Sequence, residues 1–390
     1  MQQVRESDVP PARAPSVARK RSQEFVGRKV RRDRLRVAVL APPWFAVPPL
    51  RYGGTEAVVS LLVDGLVREH HDVTLFASGD SGTQASLVSA FAGARSDDLG
   101  LTQPELLHAL TCVRDAERFD VVSDHTGALG LALSNLTSTP FLNTVHGTLA
   151  GEAGALYRRV CEVTPGAALI SLTESHRANA NDLPWAATIP NAIDLDDHPA
   201  RDHRGGEYLF WLGRMSADKG PVTAIEVARA TGMPMLLAGK LRGSAEQSYF
   251  EQEVQPRLGG GIQYVGEIDL HERVRLLHGA HALINPIAWD EPFGLVMVEA
   301  MACGVPVIAT PRGSVPEIVA DGRTGWIAAT VDGMAAAVER CGEIDPRECR
   351  ALAEFYYSPE RMVSDYLDAF HGVIERASRA ALPLVRHAPA

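Results

Sequence analysis

The sequence predicts an α/β protein made of two doubly wound parallel sheets, one in each of two domains. Three observations carry this. Short apolar runs of strand length alternate with segments of helical period along most of the chain. The 390 residues exceed what one hydrophobic core usually serves, and a 46% hydrophobic composition leaves apolar material for two. Around residues 195–206 the composition turns to Asp, His, Pro, Arg and Gly, as in an exposed, flexible linker, and the alternation then begins again.

In the first half, 35–200, the run Val37 to Ala41 reads as a buried strand, followed by a Pro-rich loop and the turn signal Gly53-Gly54. Thr55 is the expected N-cap of a helix whose apolar face is Val58, Val59, Leu62, Val63, Leu66 and Val67. Further strands are expected at 72–77, 119–124, 141–146 and 167–173. In the second half, 206–358, strands are expected at 208–212, 235–238, 262–265, 282–285 and 305–309. Pro221 suits the first turn of a helix, and a short helix over 295–303 should end at Gly304. Both halves are thus Rossmann-like. A last amphipathic helix over 359–376 carries Met362, Val363, Tyr366, Leu367, Phe370, Val373 and Ile374 on one face, and 377–390 reads as a loose tail.

Residues 1–34 are rich in Arg and Lys with few apolar side chains, the composition of a disordered basic arm. Such an arm offers weak contact with an anionic membrane surface, although a solvated extension is the simpler reading. The net charge of -10 argues against nucleic acid as a partner of the whole protein. Five scattered cysteines without a CxxC pair, no apolar run of membrane-spanning length and no apolar secretory core together point to a cytoplasmic protein with reduced thiols. No carboxylate or histidine cluster has metal-ligand spacing, so neither a metal nor a cofactor is expected.

Ligands of open parallel sheets bind beyond the carboxyl ends of the strands, so the loops there hold the candidate residues. Gly213 to Gly220 lies between a strand and a helix and contains Arg214 and Lys219, which suit a diphosphate; an ordinary solvent-facing turn has the same composition. Glu291 and Glu299 flank the turn Phe293-Gly294 that opens an apolar helix. A carboxylate among Val296, Met297, Ala300 and Cys303 needs dedicated partners, which could be ligand hydroxyls or a neighbouring element. Gly53 and Gly54 allow close backbone approach of a ligand, or simply form a turn. His125 and His146 each follow or end a strand.

At this point the chain resembles retaining glycosyltransferases of family 4. The shared signature is Glu291 and Glu299 with seven residues between them. With it, in order, come Tyr52-Gly53-Gly54-Thr55-Glu56, Thr144-Val145-His146-Gly147, Ile189 to Asp194, Gly213-Arg214 with Lys219-Gly220, and Gly304 to Ile308, so that the resemblance spans about residues 36–375. It implies the GT-B fold, with an acceptor-side domain and a donor-binding domain facing a central cleft, and a terminal helix that crosses back. It implies transfer of a hexose-type sugar, with retained configuration, from a nucleoside-diphosphate sugar (UDP-sugar favoured, GDP- or ADP-sugar as alternatives) to a small-molecule or glycan acceptor.

The roles carried over are these. Arg214 and Lys219 hold the diphosphate and stabilise the leaving group; Glu299 binds ribose hydroxyls; Glu291 contacts the transferred sugar. Phe293, Gly294 and Leu295 lend backbone amides, Val265-Gly266-Glu267 lies beside the base, His146 lies near the sugar, and His125 is assigned to the acceptor side. The sequence departs from the pattern at Asp290, where glutamate is frequent, and at Ser123, where histidine is. Other GT-B chemistry on nucleotide sugars, such as epimerisation or sugar-phosphate synthesis, and a non-catalytic binding protein are the rival readings.

Overall fold

The structure is a computed structural model that describes residues 34–51 and 53–381. Of the expected basic arm only Arg34 is included; Tyr52 and the last part of the tail lie outside the described residues. The elements of the first half, in chain order, are β1 (Arg36–Leu40), α1 (Gly54–Arg68), β2 (Asp72–Phe76), β3 (Ser86–Val88), α2 (Thr102–Asp115), β4 (Val121–Asp124), α3 (Ala128–Leu133), β5 (Phe141–Thr144), α4 (Gly151–Val163), β6 (Leu169–Ser171), α5 (Glu174–Ala178) and β7 (Trp185–Thr188). The second half has β8 (Tyr208–Leu212), α6 (Pro221–Thr231), β9 (Met235–Ala238), α7 (Gly243–Tyr249), β10 (Ile262–Gly266), α8 (Leu270–Gly279), β11 (Ala280–Asn285), α9 (Leu295–Ala302), β12 (Val307–Ala309), α10 (Val315–Ile318), β13 (Gly325–Ile327), α11 (Val331–Arg340), α12 (Pro346–Tyr357) and α13 (Pro359–Ala381).

Two wholly parallel sheets result, ordered β3-β2-β1-β4-β5-β6-β7 and β10-β9-β8-β11-β12-β13. A parallel sheet covered by helices on both faces needs strands that are apolar throughout, and Val37 to Leu40 of β1 are fully buried between β2 and β4. Each order reverses once. In the first sheet the chain turns back between β1 and β4, and in the second between β8 and β11. At such a switch point the connections after neighbouring strands leave in opposite directions and open a crevice. The fold therefore places the loops after β1 and β8, where the Gly53-Gly54 and Arg214-Lys219 signals lie, at two crevices.

The terminal helix α13 belongs to the first core, where Met362, Val363, Tyr366, Leu367 and Phe370 pack with Val59, Leu62 and Leu66 of α1 and with β1. Its Tyr366 hydroxyl is 2.9 Å from the Thr144 hydroxyl at the end of β5. The helix runs on to Ala381, five residues past the expected end at 376. Gly65 of α1 marks the closest approach, since a Cβ there would overlap Val363 Cγ2.

Several local expectations differ from the structure. Thr55 is not an N-cap: α1 begins at Gly54 and is capped by Gly53, whose φ of 148° takes the chain into the helix without a side-chain hydrogen bond. The segment 195–206 is not simply exposed. Arg201 and His198 are buried, and the Arg201 guanidinium donates to the carbonyls of Gly205 and Gly304 at 3.0 and 3.2 Å, pinning the segment to the second half. Strands β3, β7 and β13 were missed because they are three or four residues long and contain Ser, Gly or Trp in place of an apolar run.

The α1–α13 contact gives a stability test. Alanine is favoured over glycine in a helix by about 1 kcal/mol, but overpacking costs about 1–3 kcal/mol, so Gly65→Ala should destabilise the protein. In a double-mutant cycle with Val363→Ala, denaturant melting should show relief of about 1 kcal/mol or more. Strictly additive losses would contradict the contact.

Candidate active site

A cavity of about 390 Å³ lies between the carboxyl ends of the two sheets. Its first wall is formed by Arg51, Gly53, Gly54 and Thr55 after β1, His146 after β5 and Asn191 after β7. The facing wall comes from Gly213, Arg214 and Lys219 after β8, Lys240 after β9, Glu267 and Ile268 after β10, Arg273 on α8, and Trp289 to Val296 with Glu299 around the start of α9. Eleven of the thirteen sequence-derived site residues line it; Gly266 and His125 do not.

The charged groups of the second wall are held by one another. Lys219 Nζ sits 2.5 Å from Glu291 Oε1 and 5.0 Å from the centre of the Trp289 ring. Arg214 lies 3.2 Å from Asp218 Oδ2 and 3.6 Å from Glu246 Oε1. Glu299 Oε1 accepts from Arg273 Nη1 at 2.5 Å, with His198 Nε2 at 4.0 Å. Lys240 is 3.9 Å from Glu267. An anion entering here meets cations already in place, and must draw Arg214 and Lys219 toward itself in competition with their carboxylates.

The loops are shaped by backbone constraints. Gly294 caps α9 with φ 87°, and a Cβ there would stand 2.6 Å from Met297 Cε. Phe293 is buried edge-on against Tyr357, with ring centroids 5.6 Å apart, so only its backbone is available to a ligand. The loops after β8 and β11 are tied by a hydrogen bond from Ala288 N to the Asp218 carbonyl, 2.8 Å. This fixes the Arg214-Lys219 loop against the Glu291 loop.

On the first wall, His146 Nε2 is 2.9 Å from His125 Nδ1, and His125 Nε2 is 3.0 Å from Ser123 Oγ. His125 therefore stands one layer behind the cavity and not on its surface. Desolvation holds His146 down at about 3, with nearby His176 adding to the effect, and desolvation also lowers His125 well below its ordinary value. Both rings are neutral at physiological pH. Their chain of hydrogen bonds orients His146 as an uncharged partner.

Polar contacts bridge the halves in several places. Near the segment joining them, Thr173 Oγ1 donates to the Pro292 carbonyl at 2.9 Å, and the amides of Glu174 and Ser175 donate to Glu317 at 2.8 and 2.7 Å. Elsewhere Arg242 donates to the Ser96 carbonyl and lies 5.1 Å over the Phe45 ring. Sequence reasoning missed Arg51, Lys240, Arg273 and Glu246, and gave no site role to Asn191 or Trp289. Lys240 could have been found, since it lies two residues after strand β9; Arg273 lies inside a helix and has no local signal.

The chain matches two family models in tandem: Glycosyltransferase Family 4 over residues 52–197, and Glycosyl transferases group 1 over residues 196–353. It is similar to glycogen synthase of Mycobacterium tuberculosis, 29% identical over 87% of this chain and 97% of the relative. It is also similar to D-inositol 3-phosphate glycosyltransferase of Pseudarthrobacter chlorophenolicus, 25% identical over 85% of this chain and 93% of the relative. Alpha-maltose-1-phosphate synthase of Mycolicibacterium smegmatis is 27% identical over 75% and 84%. Among solved structures, a glycosyltransferase involved in avilamycin A biosynthesis gives a TM-score of 0.66 at 23% identity, covering 87% of this chain and 98% of the other. The Anabaena protein HepE in complex with UDP and glucose gives 0.67 at 16% identity, covering 87% and 100%.

Two Rossmann-like domains around a cleft, shared with these structures, define a GT-B protein. The tandem matches and the relatives go further: the chain is a glycosyltransferase, and each of its two halves matches a model of the group 1/family 4 type.

The neutral state of His146 predicts that His146→Asn lowers kcat/KM without changing the shape of its pH profile between about pH 5 and 8. An ionisation near about pH 6.5 that is present in the native enzyme and absent from the variant would contradict this.

Proposed function

We propose that the protein is a retaining hexosyltransferase that takes a hexose-type sugar from a nucleoside-diphosphate donor, with a UDP-sugar favoured over GDP- and ADP-sugars, and passes it to a small-molecule or glycan acceptor. The observation that carries this reading is the grouping of Arg214, Lys219, Glu291 and Glu299 in one cavity at the switch point of the second sheet. The printed names of the relatives, a glycogen synthase, an inositol-phosphate glycosyltransferase and a maltose-1-phosphate synthase, support sugar transfer, and the UDP and glucose bound to HepE support the donor class.

In this reading the diphosphate lies against Arg214 and Lys219, which stabilise the negative charge that grows as the bond between C1 of the sugar and the phosphate oxygen breaks. The amides at Phe293, Gly294 and Leu295 add positive dipole ends at the start of α9. The acceptor oxygen forms its bond to C1 on the face the phosphate leaves, and its proton passes to the departing phosphate oxygen. No protein nucleophile is needed. Glu291, released from Lys219, contacts the sugar as it gains positive character, and neutral His146 hydrogen-bonds to it from the first wall. Gly53 and Gly54 let the donor or acceptor approach the backbone after β1. Glu299 binds the ribose hydroxyls, and Gly266-Glu267 border the base.

The two glutamates should fail differently. Glu299→Gln should weaken binding of the free nucleoside diphosphate by about tenfold or more, the effect of losing a charge-assisted hydrogen bond of about 1.5–3 kcal/mol. Glu291→Gln should leave that binding within about threefold and lower kcat instead. Calorimetry with UDP, GDP and ADP and steady-state kinetics make the comparison. The opposite pattern, with diphosphate binding lost in Glu291→Gln and intact in Glu299→Gln, would overturn the roles.

A further inference from the structure

The second wall contains one buried ion pair that the roles above do not explain. Glu299 lies on α9 with Val298, Ala300, Met301 and Ala302 buried around it, so its carboxylate is set into an apolar core and needs partners. Its partner is Arg273, whose Nη1 is 2.5 Å from Oε1, and both side chains are mostly shielded, at 19% and 9% exposure. Arg273 is in the first turn of α8, which Asp269 caps by accepting from the Glu272 amide at 2.8 Å. The turn is fixed at the cavity edge directly after Glu267 and Ile268, and Arg273 itself lines the cavity.

This arrangement divides the carboxylate. Oε1 is taken by the guanidinium, and no hydrogen bond to Oε2 occurs among the described residues, although Glu299 faces the cavity. A free glutamate side chain samples several rotamers, and ordering it when a ligand binds costs affinity. A planar guanidinium anchored on a capped helix removes that freedom beforehand, as a point-like ammonium does less well.

We propose that Arg273 is the positioning residue for the donor's ribose: by holding Glu299 Oε1 it leaves Oε2 presented to the vicinal 2′- and 3′-hydroxyls. The inference rests on the ribose role of Glu299 given above. Arg273 acts through Glu299, so its effect depends on whether the ligand has those hydroxyls.

The test is calorimetry on the full-length protein with UDP, GDP and ADP, each paired with its 2′,3′-dideoxy counterpart; the pair whose ribose form binds tightest is followed. The native protein should prefer the ribose form by about tenfold or more, and Glu299→Gln should remove most of that preference. Arg273→Gln should also reduce it to about threefold or less while leaving the affinity for the dideoxy ligand within about threefold, and Arg273→Lys should restore part of it. Equal weakening of both ligands in Arg273→Gln and Arg273→Lys, as general damage to the fold would cause, overturns the proposal. So does an unchanged preference in Arg273→Gln when Glu299→Gln has lost it, which leaves the ribose role of Glu299 intact. Absence of any preference in the native protein removes the ribose role and the proposal together.

Discussion

The second wall of the cleft neutralises its own cations: Lys219 rests on Glu291, Arg214 on Asp218 and Glu246, Arg273 on Glu299 and Lys240 near Glu267. Without these pairs, several positive groups would face one another in a narrow, partly desolvated space, where like charges repel more strongly than in water. With them the cavity is preformed, and in the proposed function a diphosphate enters by exchanging one anionic partner for another. The exchange also gives the site a natural order of events. In the proposed reading Lys219 frees Glu291 Oε1 as it turns toward the phosphate, so the group assigned to developing positive charge is released by the group assigned to developing negative charge.

What makes that grouping available is the pair of switch points. Arg214 and Lys219 follow β8, Glu291 follows β11, and the strand order sets these two connections side by side. On the facing side Gly53 and Gly54 follow β1 and line the cavity, while His125, directly after β4, stands behind it against His146. Helix α13 then returns to the first core and sets Tyr366 beside Thr144 and His125, so the neutral histidine chain is backed by a helix from the far end of the sequence. The contacts of Thr173 and Glu317 on one side, and of Arg242 with Phe45 and Ser96 elsewhere, couple the relative position of the domains to residues beside the site.

Much of this was legible in the sequence because the signals were local. Runs such as Val37 to Leu40 or Tyr208 to Leu212 are apolar since both sheet faces are covered, and the motif loops follow them directly. Gly53 was legible as a turn, but not as the helix cap that replaces Thr55, because that depends on a positive φ and not on a side-chain oxygen. The carboxylate at 299 was recognisable as needing a partner, yet its partner was not, since Arg273 sits on a different helix with an unremarkable sequence. His125 could not be placed behind His146 from spacing alone; their contact joins residues on two neighbouring strand ends. Arg201 was hidden for a similar reason, as its carbonyl partner Gly304 lies in a distant turn. Local pattern therefore gave the loops, and pairing across elements was the part it lacked.

The central claim is that a nucleoside diphosphate replaces internal carboxylates as the partner of Arg214 and Lys219. The most direct measurement is a crystal structure of the protein with UDP. The account predicts both side chains on the diphosphate, with Lys219 drawn off Glu291 and Arg214 drawn off Glu246. A diphosphate bound elsewhere, with the Lys219–Glu291 pair and the Arg214 contacts undisturbed, would contradict it.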